Sequence, residues 1–188
     1  MNKDWIKVEN FISEDLSTLL YGYILLAHKR LSVTRDNRHG TFSDPQSMGD
    51  FSMYGDLIFD TLLMGKLDQL QEITGEQLVP QYSYYRLYKK GSELKRHIDR
   101  ESCEISLTLC IGYDSHYAWP IWFKDRDGNE ISIETERGDM VIYKGCELEH
   151  WREPFEGNYH AQVFLHYNRK NGRYNNKFDG REVLGVPA

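Results

Sequence analysis

From Cys103 to Ile111 the chain alternates strictly. Cys103, Ile105, Leu107, Leu109 and Ile111 fall on one side, and Glu104, Ser106, Thr108 and Cys110 on the other. A period of two fits an extended strand with one apolar face, so this segment belongs to a sheet whose two sides differ. The rest of the chain divides by the same criterion. Before Gly75 the apolar spacing is helical. Ser13 is placed as an N-cap with Glu14 and Asp15 in the first turn. Leu16, Leu19, Leu20, Tyr23 and Ala27 then follow helical spacing to about Leu31. Residues 32–50 are polar, contain Gly and Pro, and read as a long loop. A second helix is predicted from about Met53 to Ile73, with Phe59, Leu63, Leu67 and Leu70 as its buried stripe.

After Gly75 the elements are strands. Val79 to Tyr88, Cys103 to Ile111, Trp119 to Phe123, Glu130 to Glu134, Met140 to Tyr143 and His160 to Tyr167 are separated by turn signals. Asp127-Gly128-Asn129 and Arg137-Gly138-Asp139 are the strongest of these. Helices followed by strands is an α+β order, here mainly β. It predicts one domain: a double-stranded β-helix (a jelly-roll, cupin-like barrel) with two N-terminal helices packed on the outside. The helical part would span about 10–75, the barrel about 79–167, and a polar C-terminal tail 168–188. Thirteen Tyr and four Trp suit such a scaffold.

Charge and cysteine content narrow the function classes. The net charge of −6 argues against nucleic-acid binding as a main activity. The local basic stretch Lys89-Lys90 with Lys95-Arg96 reads as a solvated loop. No apolar run approaches the roughly 20 residues of a membrane span, so no membrane partner is expected. Cys103, Cys110 and Cys146 follow no zinc-ligand spacing and read as packing thiols in a reducing cytoplasm.

The candidate chemistry lies in His97-Ile98-Asp99 and in His150 of Glu149-His150-Trp151-Arg152. At a strand end, residues two apart send their side chains to the same face. Two imidazoles and a carboxylate bind one face of a non-haem Fe(II) and leave the remaining positions open. The barrel interior is the natural place for such a metal. A His-x-Asp pair alone carries little weight, and the surrounding segments decide the matter.

Those segments resemble the 2-oxoglutarate/Fe(II)-dependent dioxygenases, in particular their prolyl-4-hydroxylase-like branch. Residues 10–20 resemble the opening helix. Tyr88-Lys89-Lys90-Gly91 resembles the Tyr-x-x-Gly segment before the metal motif. Gly138-Asp139-Met140-Val141-Ile142-Tyr143 resembles the strand before the distal His, and His150-Trp151-Arg152-Glu153-Pro154 the distal His with its following Pro. The resemblance spans about residues 8–167. It implies an enzyme, a hydroxylase that couples oxidative decarboxylation of 2-oxoglutarate to hydroxylation of a substrate. Fe(II), 2-oxoglutarate and O2 would serve it, with ascorbate as a reductant.

The resemblance also implies roles for individual residues. His97, Asp99 and His150 would be the iron ligands, and Tyr88 a contact to the distal carboxylate of 2-oxoglutarate. The family's basic anchor about ten residues after the distal His is replaced here by His160. Arg152 and Arg86 are the alternative anchors. The substrate is a protein side chain, an amino acid or a small metabolite. Two other readings remain: a cupin-like iron enzyme with a different co-substrate, and a non-catalytic binding module with a vestigial site. Among the rest, Trp119, Trp122 and Trp151 read as packing residues. Arg100 and Glu101 either face substrate or pair within their loop. His28 and His39 are expected to be exposed, and His116 lies in a polar loop.

Overall fold

The computed structural model describes residues 1, 3–35, 38, 40–174 and 176–186. The alternating segments pair as their period requires. The strands are β1 (Trp5–Val8), β2 (Phe51–Tyr54), β3 (Leu78–Lys89), β4 (Leu94–His97), β5 (Ile105–Asp114), β6 (Ile121–Lys124), β7 (Glu130–Ile133), β8 (Met140–Tyr143), β9 (His150–Arg152) and β10 (Tyr159–Arg169). They form a major sheet of order β1-β8-β5-β10-β3-β2 and a minor sheet of order β4-β9-β6-β7. Every paired neighbour is antiparallel. Two antiparallel sheets with crossovers between them are the expected jelly roll.

The two faces of the major sheet bury different chemistry. One face carries Leu87, Leu107, Leu109, Ile142, Val163 and Leu165. It packs with Leu20, Ile24, Phe59 and Leu63 of the helices into the main apolar core. The opposite face points into the barrel and is polar and aromatic: Tyr84, Arg86 and Tyr88 on β3, Ser106 and Thr108 on β5, His160, Gln162 and His166 on β10. All of these but Tyr84, which is half-buried, are buried.

The helices follow the sequence in part. Helix α1 (Glu14–Thr34) starts at Ser13, whose Oγ accepts the Leu16 N–H at 3.3 Å. It runs three residues past the expected end and closes on Arg35 in a left-handed conformation. Leu19 does not join the buried stripe but faces outward. The expected single helix from Met53 to Ile73 is three elements. Residues 51–54 are β2, paired with β3. Gly55 turns the chain at φ +66°, and the Asp56 carboxylate then caps α2 (Leu57–Gly65) by accepting the Ile58 and Phe59 N–H groups. A break at Lys66 separates α2 from α3 (Leu67–Thr74). Among the described residues three α-helices therefore replace the expected two, and β1, β2, β4 and β9 add to the six strands given by range.

His28 is half-buried among Phe42, Phe51 and Tyr159 rather than exposed, and His39 lies outside the described residues. The tail does not fray after residue 168. β10 continues to Arg169, and residues 176–181 fold back along β3. There Arg181 donates to Asp60 at 3.1 Å and Gln81 donates to the Asn176 carbonyl at 2.6 Å.

The Gly138-Asp139 segment docks the N-terminus onto the barrel. Gly138 adopts φ +87°, and a Cβ there would lie 2.8 Å from the Ile12 carbonyl oxygen. Asp139 accepts the backbone N–H of Asn10 at 3.0 Å and ion-pairs with Lys7 at 3.3 Å. Gly138→Ala should therefore lower folding stability by about 1–3 kcal/mol, measured by urea unfolding. An unchanged midpoint would contradict this docking role.

Candidate metal centre

His97 ends β4 and His150 begins β9, and the two are direct cross-strand partners. Their ring centroids lie 4.3 Å apart. Each imidazole is oriented by the backbone carbonyl two residues before it: Nδ1 of His97 meets the Lys95 carbonyl at 2.8 Å, and Nδ1 of His150 meets the Leu148 carbonyl at 2.9 Å. A carbonyl only accepts, so each Nδ1 carries the proton and each Nε2 presents a lone pair. Both Nε2 atoms lie 3.5 Å from the same oxygen, Oδ1 of Asp99. The three potential ligand atoms thus lie within 4.8 Å of one another, close enough to share one cation.

Asp99 is held as firmly as the imidazoles. Its N–H donates to the Gly145 carbonyl at 2.8 Å, and its Oδ2 accepts the Ser106 hydroxyl at 2.7 Å, leaving Oδ1 for a metal. Burial pushes its carboxyl pKa up, but the adjacent His150 and His97 rings outweigh this and hold it well below the usual range. A Cβ at Gly145 would collide with Asp99 Oδ2, Ser106 Oγ and the Cys103 carbonyl, so only glycine fits there. Ser106 also bonds Nδ1 of His166 at 3.0 Å. Burial keeps that imidazole neutral, with its pKa lowered to about 4.

The trio opens onto a cavity of about 390 Å³. Arg86, Tyr84 and Asp44 form one wall, Tyr54 and Tyr82 another, and Phe164 and Tyr143 the interior end. Asp44 reaches in from the loop before β2 and accepts hydrogen bonds from Arg86 and Tyr84. Arg86 also donates to the Tyr88 hydroxyl at 3.0 Å.

Tyr88, His160 and Arg152 lie together behind this cavity and do not line it. All three pack on Trp119: Tyr88 at 4.9 Å, His160 at 5.3 Å, and the Arg152 guanidinium over the ring at 4.9 Å. His160 is fully buried, and Nε2 meets Gln162 Oε1 at 2.8 Å. Burial and then the nearby Arg152 lower its pKa to about 3, so it is neutral at neutral pH. Arg152 donates through Nη1 to the Trp119 carbonyl at 2.6 Å, while its Nε and Nη2 have no partner. Neither Glu149 nor Glu153 pairs with it. A buried guanidinium with two unmet donors and no counter-charge is costly.

Several contributors carry no motif. Arg100 borders the cavity, donates through Nη1 to the Ser102 hydroxyl of its own loop at 3.1 Å, and pairs with Asp179 in the tail at 2.8 Å. Asp179 also accepts from Ser102 and, at 2.6 Å, from Tyr54. It sits at φ +57°, a left-handed conformation that Asp tolerates. The tail thereby clamps the 98–103 loop that carries Asp99. Cys103 borders the cavity with its thiol 3.1 Å from the Tyr82 hydroxyl. Trp151 and Trp122 stack outside the barrel beneath Arg96, and His116 is exposed.

Loosening Asp99 should weaken metal binding. Gly145→Ala and Asp179→Ala are each expected to lower Mn(II) affinity by roughly 10–100-fold, read by electron paramagnetic resonance titration. Unchanged affinity in both would contradict the idea that these contacts hold the ligand.

No protein-family model matches the chain, and no curated protein matches it in sequence. Solved structures do match in three dimensions. A prolyl-4-hydroxylase from Pseudomonas putida aligns with TM-score 0.67 at 19% identity, covering 89% of this chain and 94% of that one. The viral collagen prolyl hydroxylase of Paramecium Bursaria Chlorella virus-1, solved with 2-oxoglutarate, aligns with TM-score 0.64 at 12% identity, covering 88% and 96%. The non-haem α-ketoglutarate-dependent carbocyclase SnoK of nogalamycin biosynthesis aligns with TM-score 0.69 at 10% identity, covering 99% and 89%. The fold of this chain is the jelly roll of the 2-oxoglutarate/Fe(II) oxygenases.

Proposed function

We propose that the protein is a 2-oxoglutarate-dependent Fe(II) oxygenase that hydroxylates a small substrate or side chain. One observation carries the reading: the Nε2 atoms of two imidazoles and one carboxylate oxygen lie within 4.8 Å of one another at the edge of a cavity of about 390 Å³. His97, His150 and Asp99 would hold iron on one face and leave the cavity side open. Bound iron and 2-oxoglutarate supply an oxidation in which O2 yields succinate, CO2 and an alcohol from a substrate C–H bond.

The chain's own residues bind, orient and exclude water. Arg152, which lies behind the cavity wall, would anchor the distal carboxylate of the co-substrate once binding parts the packing between them. It lies two residues beyond His150 on the same strand face, roughly 7 Å deeper. That distance suits a five-carbon dicarboxylate whose other end meets the metal. Its unmet Nε and Nη2 donors match a carboxylate in number and charge. Tyr88 lies beside it with a hydroxyl to offer. His160 is neutral, so it would shape the pocket rather than supply charge. Phe164 and Tyr143 would shield the reacting face from water.

No helix among the described residues is long and apolar enough to cross a membrane. Three free thiols suit a reducing cytoplasm, where ascorbate or another small reductant would keep the iron ferrous. The negative net charge fits no nucleic-acid partner.

Anaerobic addition of Fe(II) and 2-oxoglutarate should produce a weak visible charge-transfer band, and O2 should then release succinate. His97→Ala should abolish both. Arg152→Gln should raise the KM for 2-oxoglutarate about 30-fold or more, the loss of roughly 2 kcal/mol or more of charge pairing. His160→Asn should change it only a few-fold. No band and no succinate from the unaltered protein would overturn the reading. An Arg152→Gln enzyme with unchanged KM would overturn the anchor.

A further inference from the structure

Helix α1 is apolar on two opposite faces. Leu20, Ile24 and Leu31 are buried against the major sheet. On the other side Leu19, Leu26 and Val33 are 69%, 68% and 76% exposed. They recur every seven residues and so form one stripe, roughly 21 Å long at the helical rise. A helix that is apolar on both sides is expected to be covered on both sides. Gly22 lies exposed between Leu19 and Leu26, and a Cβ there would meet nothing within 4 Å. The surface is therefore low where a second helix would cross, which permits close approach.

The charges on either side of Leu19 and Leu26 say what fits the stripe. Glu14 and Asp15 are exposed on the N-terminal side of Leu19, and Lys29 and Arg30 on the C-terminal side of Leu26, before Val33. None of the four forms an ion pair among the described residues. Turned antiparallel on a copy of itself about a two-fold axis near Gly22 and Tyr23, the helix sets Leu19 against Leu26 of the second copy. The same turn sets Asp15 against Arg30 and opposes the two helix dipoles. A parallel arrangement would instead set acid against acid.

We propose that the outer face of α1 is a self-association surface that docks antiparallel on α1 of a second copy of this chain. The contact is confined to one helix, below the roughly 1,200 Å² of a tight interface. The dimer is therefore weak, dissociating on the order of 10 µM. α1 covers the side of the major sheet opposite the barrel interior, so the cavity stays open in the dimer.

Sedimentation velocity across the micromolar range tests this on the full chain. The unaltered protein should pass from monomer to dimer with rising concentration, and high salt should weaken the dimer. Leu26→Glu should raise the dissociation constant at least tenfold with an unchanged circular dichroism spectrum. The double variants Glu14→Lys/Asp15→Lys and Lys29→Glu/Arg30→Glu should each dimerise poorly alone and recover dimer when mixed. The proposal is overturned if the unaltered protein stays monomeric throughout. It is equally overturned if Leu26→Glu dimerises as tightly, or if the two charge variants fail to complement one another.

Discussion

The register of β10 between β3 and β5 is the constraint on which the rest depends. β10 pairs along its whole length with β3 and from Tyr159 to Tyr167 with β5. Ala161, Val163, Leu165 and Tyr167 lie in the helix-covered core, and His160, Gln162, Phe164 and His166 point into the barrel. A slip of one residue would exchange these sets, burying imidazoles among leucines and turning valines toward the site. The apolar face enforces the register, and the polar face is thereby placed. Site geometry follows from packing on the far side of the same sheet.

The barrel interior concentrates groups whose burial is unfavourable without partners. Asp99 has four: the two imidazoles, Ser106 and the Gly145 carbonyl, which takes its N–H. Arg86 has Asp44 and Tyr88. Arg152 lacks a counter-ion. This uneven satisfaction separates structural polar groups from those that await a ligand. A network completed within the chain rigidifies, whereas a buried cation left open marks where an anion belongs. His150 of the trio and the open Arg152 lie along one face of β9, as a chelating dicarboxylate requires.

The grouping of His97, Asp99 and His150 was legible in the sequence because its parts are short-range or tied to turn signals: a two-residue spacing on a strand end, and a histidine after the Gly138-Asp139 turn. The barrel was legible from the alternation of Cys103 to Ile111 and the hairpin at Asp127-Gly128-Asn129. Other features were not. Phe51 to Tyr54 continues the apolar spacing of α2, and only the cap at Asp56 separates strand from helix. Leu19 and Leu26 share the helical period with the buried leucines, so periodicity alone could not assign their face. The Asp44–Arg86 and Asp179–Arg100 pairs span 42 and 79 residues, and no local pattern announces them. His160 was placed correctly on its strand, but its neutrality depends on burial and on Arg152, which only tertiary structure supplies.

A crystal structure grown without oxygen in the presence of Mn(II) and 2-oxoglutarate addresses the central claim most directly. The account predicts one metal bound by Nε2 of His97, Nε2 of His150 and a single oxygen of Asp99, with the distal carboxylate of 2-oxoglutarate hydrogen-bonded to Nε and Nη2 of Arg152. A metal held elsewhere, or a co-substrate carboxylate paired with Arg86 while Arg152 stays unpartnered, would contradict it.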